Sequence, residues 1–222
     1  MRVILITGDQ LRHTWMAHQL AQTTNWALSV YQDPARKNTL EQTKIEMELL
    51  EPPYYPPPLP RAWFGKPDLV LFFGCKLIDT TQFTCPVLNL HLGLSPYYRG
   101  SGTNFWALHN GEPEAVGATI HIATHQVDGG PILAQCRPDN LQPEDSIHHI
   151  GIKALMAAVK ILPQVVDKPA QPQNLTIGKV YKRKDYTPEA LRQAEWQLEQ
   201  GIVAKYLSQK AKRDARYPIV GV

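Results

Sequence analysis

The sequence has few cysteines and no long apolar run. Its three cysteines, Cys75, Cys85 and Cys136, lack CxxC spacing, which argues against a disulfide framework and against a zinc site. No apolar run approaches the roughly 20 residues that cross a bilayer, and the first run ends at Gly8, too early for a signal peptide. We therefore expect a cytoplasmic protein with no membrane association and no metal.

Charge of one sign is also scarce along most of the chain. The net charge is only +3, and residues 179–222 hold ten Lys and Arg against five Asp and Glu. Such an excess could meet a nucleic acid, but acidic residues dilute it and no nucleic-acid motif accompanies it. We expect a solvated helical face there and no nucleic-acid partner.

Apolar patterns alternate between strand and helix in the first half of the chain. Helical spacing from Leu11 to Leu20 follows the first strand-like run and predicts a β-α-β opening. This alternation is typical of an α/β fold, a Rossmann-like, mostly parallel sheet with helices on both faces. The predicted strands are residues 2–7, 26–31, 68–73 and 87–92.

A different pattern follows in the second half. Residues 117–124 and 131–136 predict neighbouring strands joined across the turn at Asp128. Pro143 is expected to open a helix whose first turn carries Glu144 and Asp145.

Two further segments, a proline-rich stretch and a helix start near the C-terminus, also have recognisable patterns. Six of the nine residues in 52–60 are proline, which predicts an extended connector or, alternatively, a ligand for a proline-binding domain. Thr187 and Pro188 fit the N-cap and first position of a helix, and the chain beyond them reads as helical and basic to about Arg213.

Polar side chains interrupt the fourth predicted strand. Strand alternation places Asn89 and His91 on one face, near the end of the strand where open α/β sheets bind ligands. An amide donor and an imidazole together suit the oxyanion that forms when an amine attacks a carbonyl. The alternative is a hydrogen-bonded pair with only a structural role.

Asp128 precedes two glycines in a turn, where backbone can approach a ligand closely. An aspartate beside His91 would orient the ring and raise its pKa, giving an acid-base group. A turn-forming role alone is the alternative.

Several ordered segments resemble the 10-formyltetrahydrofolate-dependent formyltransferase family, which includes glycinamide ribonucleotide, methionyl-tRNA and nucleotide-sugar enzymes. They are NLHLGLSPYYRG at 89–100, ALHNG at 107–111, GATIH at 117–121 and DGGPILAQ at 128–135. The resemblance implies a catalytic triad of Asn89, His91 and Asp128 and a catalytic domain at 1–168. Residues 169–222 would form a short, largely helical C-terminal extension.

The resemblance also implies where the folate co-substrate, 10-formyltetrahydrofolate, binds. Backbone groups of two loops would read the pterin edge while apolar side chains flank the ring. Leu77 and Ile78 could instead be ordinary core. The expected contacts are Gly74, Cys75, Lys76, Leu77, Ile78, His125, Gln126 and Val127.

Contacts to the amine acceptor are expected from Arg12, near a helix N-terminus, and from the loop residues Tyr98, Arg99 and Gly100. Arg12 could instead be a solvated charge, and Arg99 could brace its loop. The Gly-rich phosphate loop of glycinamide ribonucleotide enzymes is missing after the first strand, so a nucleotide-linked amino sugar is the first expectation for the acceptor.

Three functions stay open from the sequence. The first is formyl transfer to a small primary amine, with glycinamide ribonucleotide as the second acceptor candidate. The second is hydrolysis of 10-formyltetrahydrofolate by the same triad. The third is a folate-binding protein without turnover. A homo-oligomer is an open alternative to a monomer.

Overall fold

A computed structural model describes residues 1–33, 38–51, 66–174 and 178–221. The Pro-rich segment 52–60 lies outside these residues, so the prediction of an extended connector stays untested. Contacts divide the chain into two compact units, residues 1–90 and 91–222.

The first unit carries parallel strands with two helices. Strand β1 (Arg2–Gly8) pairs with β2 (Ala27–Asp33) on one side and β3 (Leu69–Phe73) on the other, and β3 pairs with β4 (Val87–His91). All three pairings are parallel. The helices are α1 (Leu11–Thr23) and α2 (Leu40–Leu50). Every residue of β3 is buried, as a strand covered on both faces requires.

The second unit contains two separate strand pairings. Strands β6 (Ala118–Ile122) and β7 (Ile132–Cys136) are antiparallel, as the sequence predicts, and the turn between them carries Asp128. The two-residue strands β5 (Arg99–Gly100) and β8 (Val180–Tyr181) are parallel. With the parallel strands of the first unit, this confirms the predicted mostly parallel α/β architecture.

The predicted start of the long helix at Pro143 is wrong. Helix α4 (Ile147–Asp167) begins after Ser146, whose hydroxyl accepts from the backbone of His149 as an N-cap. Asp145 therefore lies outside the first turn, and both its oxygens accept from Lys153 at 2.7 Å. A buried ion pair holds this carboxylate, in place of the expected interaction with the helix dipole.

Helix α4 passes the length and composition test for a membrane span, but half of its most apolar window is buried. Lys153, within the helix, is buried as well. Burial of this kind is typical of a core helix, and core helices can be as long and as apolar as membrane spans.

The C-terminal helices pack into the core of the second unit. Thr187 caps α5 (Pro188–Glu199) with Pro188 at its first position, as predicted. The short helices α6 (Ile202–Leu207) and α7 (Lys210–Asp214) follow. Ala194 and Tyr206 share one hydrophobic cluster with Trp106 of α3 (Thr103–His109). Trp106 is thus a core residue.

Candidate active site

His91 and Asp128 meet at the ends of their elements. His91 is the last residue of β4, and its Nδ1 lies 3.3 Å from Oδ2 of Asp128. The turn places Asp128 in the left-handed region at φ 44°, which few non-glycine residues adopt. The backbone N–H of Gly100 donates to the same Oδ2 at 2.9 Å. The contact that the triad requires between these two residues is present.

The other ring nitrogen of His91 also faces acceptors. Nε2 lies 3.0 Å from the carbonyl oxygen of Tyr98 and 3.3 Å from the hydroxyl of Thr103. That hydroxyl donates its own proton to the carbonyl of Leu92. A ring protonated on both nitrogens would therefore satisfy an acceptor on each side.

Burial opposes that charged ring. His91 is 7% exposed, and desolvation lowers its pKa although Asp128 and the Tyr98 carbonyl both favour the imidazolium. The pKa therefore moves opposite to the rise expected from a neighbouring aspartate alone, because the cost of burying the charge outweighs the attraction of Asp128. His91 has a lowered pKa, and two acceptors are positioned to accept hydrogen bonds from its ring N–H groups.

Asp128 is held as a carboxylate. Burial alone would raise its pKa, but His91, the neighbouring His121 and the Gly100 N–H outweigh burial and lower the pKa to about 2. At neutral pH the carboxylate therefore remains ionised beside the imidazole.

Asn89 lies in β4, two residues before His91, and is half-buried. Side chains at this spacing project from the same face of a strand. Asn89 and His91 therefore both lie in one strand, as predicted.

His121 contacts the carboxylate as well, which the sequence reasoning missed. It lies in β6, is 2% exposed, and its Nε2 is 3.7 Å from Oδ1 of Asp128. Its Nδ1 lies 2.9 Å from the carbonyl oxygen of Ile122. The sequence contained a signal, since an inward-facing histidine in the strand before the Asp128 turn lies within reach of that turn.

A buried polar network supports the loop after β4. The hydroxyl of Ser95 donates to the main-chain carbonyl of Asp128 at 2.9 Å. The hydroxyl of Thr119 donates to Gly93 at 2.6 Å and accepts from the Ser95 N–H and from the Gln135 amide. The loop that follows His91 is thus bonded to the strands that flank Asp128.

A cavity of about 170 Å³ opens beside this network. Its lining includes Asp128, Arg99 and the amide-bearing side chains of Gln126 and Asn174. It has hydrogen-bonding groups of both kinds, which suits a polar ligand.

The predicted acceptor residues of the loop have other contacts. Tyr98 is 3% exposed, stacks on Tyr181 at 5.3 Å and donates to Glu112. Arg99 is equally buried and donates to main-chain carbonyls. Gly100 supplies the N–H that binds Asp128. In the structure these residues contact other parts of the second unit.

Arg12 lies in the first turn of α1, and its guanidinium donates to Glu46 at 2.6 Å. Glu46 is fully buried, and Asn38 accepts a second bond from Arg12 at 3.2 Å. The charge is therefore paired within the first unit. A role in binding an acceptor phosphate stays a prediction.

The two predicted cofactor loops expose apolar side chains. In residues 74–78, Leu77 is 79% exposed, which rules out the alternative that it is core, and Ile78 is half-buried. Lys76 lies 3.6 Å from Asp33. In residues 125–127, Val127 is 42% exposed. Exposed apolar groups of this kind fit the flanks of a flat heterocycle, whose contacts here stay a prediction.

Among the described residues, no group of three or more His, Cys, Asp or Glu side chains could hold a metal ion. The absence of a bound metal stays a prediction.

Part of the chain matches a known protein family. Residues 66–166 match the family model described as formyl transferase. The phosphoribosylglycinamide formyltransferase of Haemophilus influenzae is 34% identical over 103 residues, which cover 45% of this chain and 48% of that enzyme. The chain thus spans about half the length of this curated relative.

Solved structures share the fold over more of the chain. The formyltransferase PseJ from Anoxybacillus kamchatkensis, in complex with UDP-4,6-dideoxy-4-formamido-L-AltNAc and tetrahydrofolate, has a TM-score of 0.55 at 18% identity, over 83% of this chain and 87% of that one. An N-formyltransferase from Helicobacter canadensis, in complex with folinic acid and dTDP-3-aminofucose, has a TM-score of 0.57 at 14% identity, over 89% and 79%. At these identities the likeness concerns the fold.

Proposed function

We propose that the protein moves a formyl group from 10-formyltetrahydrofolate to the primary amine of a small acceptor, and the match of residues 66–166 to the formyl transferase family model supports this proposal. The observation that carries the proposal is the contact of His91 Nδ1 with Asp128 Oδ2 at 3.3 Å. It joins two of the three residues that the family resemblance assigns to catalysis.

His91 is proposed to manage the amine's proton. A lowered pKa keeps its ring neutral near pH 7, so it can accept a proton when the amine attacks. The imidazolium that results has Asp128 on one nitrogen and the Tyr98 carbonyl on the other. Both acceptors stabilise the charged ring at the moment when it forms.

Asn89 is proposed to bind the oxygen of the reacting formyl group. The co-substrate supplies the formyl carbonyl that the amine attacks. Negative charge develops on its oxygen, and a side-chain amide N–H donates a hydrogen bond that strengthens as that charge grows. The half-buried position of Asn89 on β4 leaves part of its surface accessible.

The co-substrate contacts proposed are those implied by the resemblance. They are residues 74–78 and residues 125–127, and exposed Leu77 and Val127 support an apolar component. Related structures that contain tetrahydrofolate or folinic acid support a reduced folate as the donor. A cytoplasmic location is part of the same proposal.

An amino sugar linked to a nucleotide is the first acceptor proposed. Both related structures described above contain a nucleotide sugar, and the Gly-rich phosphate loop is missing after β1. Glycinamide ribonucleotide is the second candidate, favoured by the Haemophilus relative.

An acceptor screen tests the proposal. Purified protein would be incubated with 10-formyltetrahydrofolate and, in separate reactions, with amino-sugar nucleotides, glycinamide ribonucleotide and charged initiator tRNA. Mass spectrometry would detect the formamide product. Formylation of a small amine supports the proposal, and rapid formate release without any acceptor would establish a hydrolase instead. Folate binding without either product would indicate a non-catalytic binding protein.

A further inference from the structure

Arg99 has an unusual set of partners for a buried arginine. It is 3% exposed, and among residues in the described ranges it forms no ion pair with a carboxylate. Its Nε donates to the carbonyl oxygens of Val127 and Asp128 at 2.9 and 3.2 Å, and its Nη2 donates to Val127 at 2.5 Å. The guanidinium is thus hydrogen-bonded to the main chain of Val127 and Asp128.

The main chain of β5 binds the side chain of the same aspartate. Gly100, next to Arg99, donates its N–H to Oδ2 of Asp128 at 2.9 Å. One two-residue strand therefore fixes Asp128 twice, by its backbone carbonyl and by its carboxylate. Asp128 needs this support, because its φ of 44° is a conformation that costs free energy outside glycine.

Gly129 leaves space for the Arg99 guanidinium because it has no side chain. A Cβ there would lie 2.6 Å from Nη2 of Arg99, so any larger residue would displace the guanidinium. The third guanidinium nitrogen of Arg99, Nη1, donates to the carbonyl oxygen of Gly178 in the C-terminal segment at 3.2 Å. Beyond Gly178, β8 pairs with β5. The aspartate is in this way linked through Arg99 to the docked C-terminal segment.

We propose that Arg99 is a positioning residue for Asp128: its guanidinium holds the Val127–Asp128 main chain so that the carboxylate stays against His91. The inference rests on the proposed function and deepens it. In this proposal Arg99 positions Asp128 and does not contact the acceptor. Because Arg99 also lines the cavity, a direct contact with the acceptor is the alternative that the experiment tests.

A lysine at position 99 cannot make the same set of hydrogen bonds as the arginine guanidinium. It keeps the positive charge, but it presents one point of attachment where Arg99 uses Nε, Nη1 and Nη2. The charge and the geometry can therefore be separated by comparing Arg99→Lys with Arg99→Ala, and Gly129→Ala moves the guanidinium while leaving Arg99 in the sequence. Arg192→Ala is the control, because Arg192 is an exposed arginine of α5 that pairs with Glu189.

The test combines kinetics with an NMR titration of the Asp128 carboxyl carbon, which needs no acceptor. We expect Arg99→Ala, Arg99→Lys and Gly129→Ala to lower kcat at least about tenfold, to leave the acceptor KM within about twofold and to raise the midpoint of the Asp128 titration. Added guanidinium ion should restore part of kcat in Arg99→Ala, and Arg192→Ala should match the wild type.

Two results would overturn the positioning role. One is a raised acceptor KM with unchanged kcat and an unchanged Asp128 titration, which would make Arg99 an acceptor contact. The other is full activity and an unchanged Asp128 titration in Arg99→Lys, which would show that the positive charge at position 99 is sufficient and that the guanidinium geometry is not needed. If the wild type formylates no amine, the proposed function fails, while the titration still decides the role of Arg99.

Discussion

Oδ2 of Asp128 lies 3.3 Å from Nδ1 of His91, and the same oxygen accepts the N–H of Gly100 at 2.9 Å. The carboxylate is thus fixed by a ring at the end of β4 and by the backbone of β5. In the proposed mechanism, this pair accepts the proton of the attacking amine.

Replacing Asp128 by Asn should remove the charge while keeping the shape. We expect kcat for formyl transfer to fall about a hundredfold or more, because the imidazolium loses its counter-charge. Product formation under saturating co-substrate would measure this. Asp139→Asn is the matched control, since Asp139 is exposed and pairs with Lys160. Activity of Asp128→Asn within twofold of the wild type would remove Asp128 from the mechanism.

The pH dependence of kcat/KM should report His91. Its pKa is lowered from the ordinary 6.5 by burial, and only the neutral ring accepts a proton. Activity should therefore persist below pH 6.5 and be lost as the pH falls through the lowered pKa. Asp128→Asn should move this acid limb to still lower pH, because Asp128 favours the charged ring. A limb above pH 6.5 in the wild type would contradict this assignment.

Gly93 leaves space for the His91 ring. A Cβ at this position would lie 2.6 Å from His91 Nε2 and closer still to the Thr103 hydroxyl. Gly93→Ala should therefore displace the ring and lower kcat at least about tenfold. Gly151→Ala in α4 is the control, because its Cβ would meet nothing within 4 Å. That control should keep its activity and gain about 0.5–1 kcal/mol of stability, as measured by urea unfolding.

His13 should make the fold acid-sensitive. Burial, reinforced by Arg12, lowers its pKa from 6.5 to about 3. The unfolded chain therefore takes up a proton near pH 6.5 that the folded chain refuses until about pH 3, so this contribution to stability is present above pH 6.5 and is lost as the pH falls. Between pH 6.5 and pH 4 the loss is about 3 kcal/mol.

Urea unfolding of the wild type and His13→Gln over this pH range measures the contribution. The variant should lose less stability on acidification than the wild type, while His125→Gln, at an exposed position, should follow the wild type. Equal pH slopes for His13→Gln and the wild type would contradict the lowered pKa.

Local patterns in the sequence were enough to predict six of the eight described strands, but not the two-residue strands β5 and β8 or helix α2. The apolar run of β3 and the Thr187-Pro188 cap both appear in the structure as predicted. The start of α4 was wrong, because Pro143 was preferred to Ser146 as the signal and Asp145 has a buried partner in Lys153.

The site was predictable only in part, because tertiary contacts decide it. Strand alternation and the family resemblance indicated Asn89, His91 and Asp128, whereas the contact of His121 with Asp128 depends on how β6 leads into its turn. The lowered pKa of His91 depends on burial, which local sequence does not report. Arg99 was expected to contact the acceptor or to brace its loop; its donors bind the main-chain carbonyls of Val127 and Gly178, and a contact with the acceptor stays a prediction.

Formyl transfer by the double variant Asn89→Ala, His91→Ala tests the central claim most directly. Wild type and variant would be given 10-formyltetrahydrofolate and the amine identified in the acceptor screen, and formylated product would be followed by mass spectrometry. We expect the wild type to form the formamide and the variant to lose at least about a thousandfold in rate. Unchanged formylation by the variant would contradict the assignment of this centre.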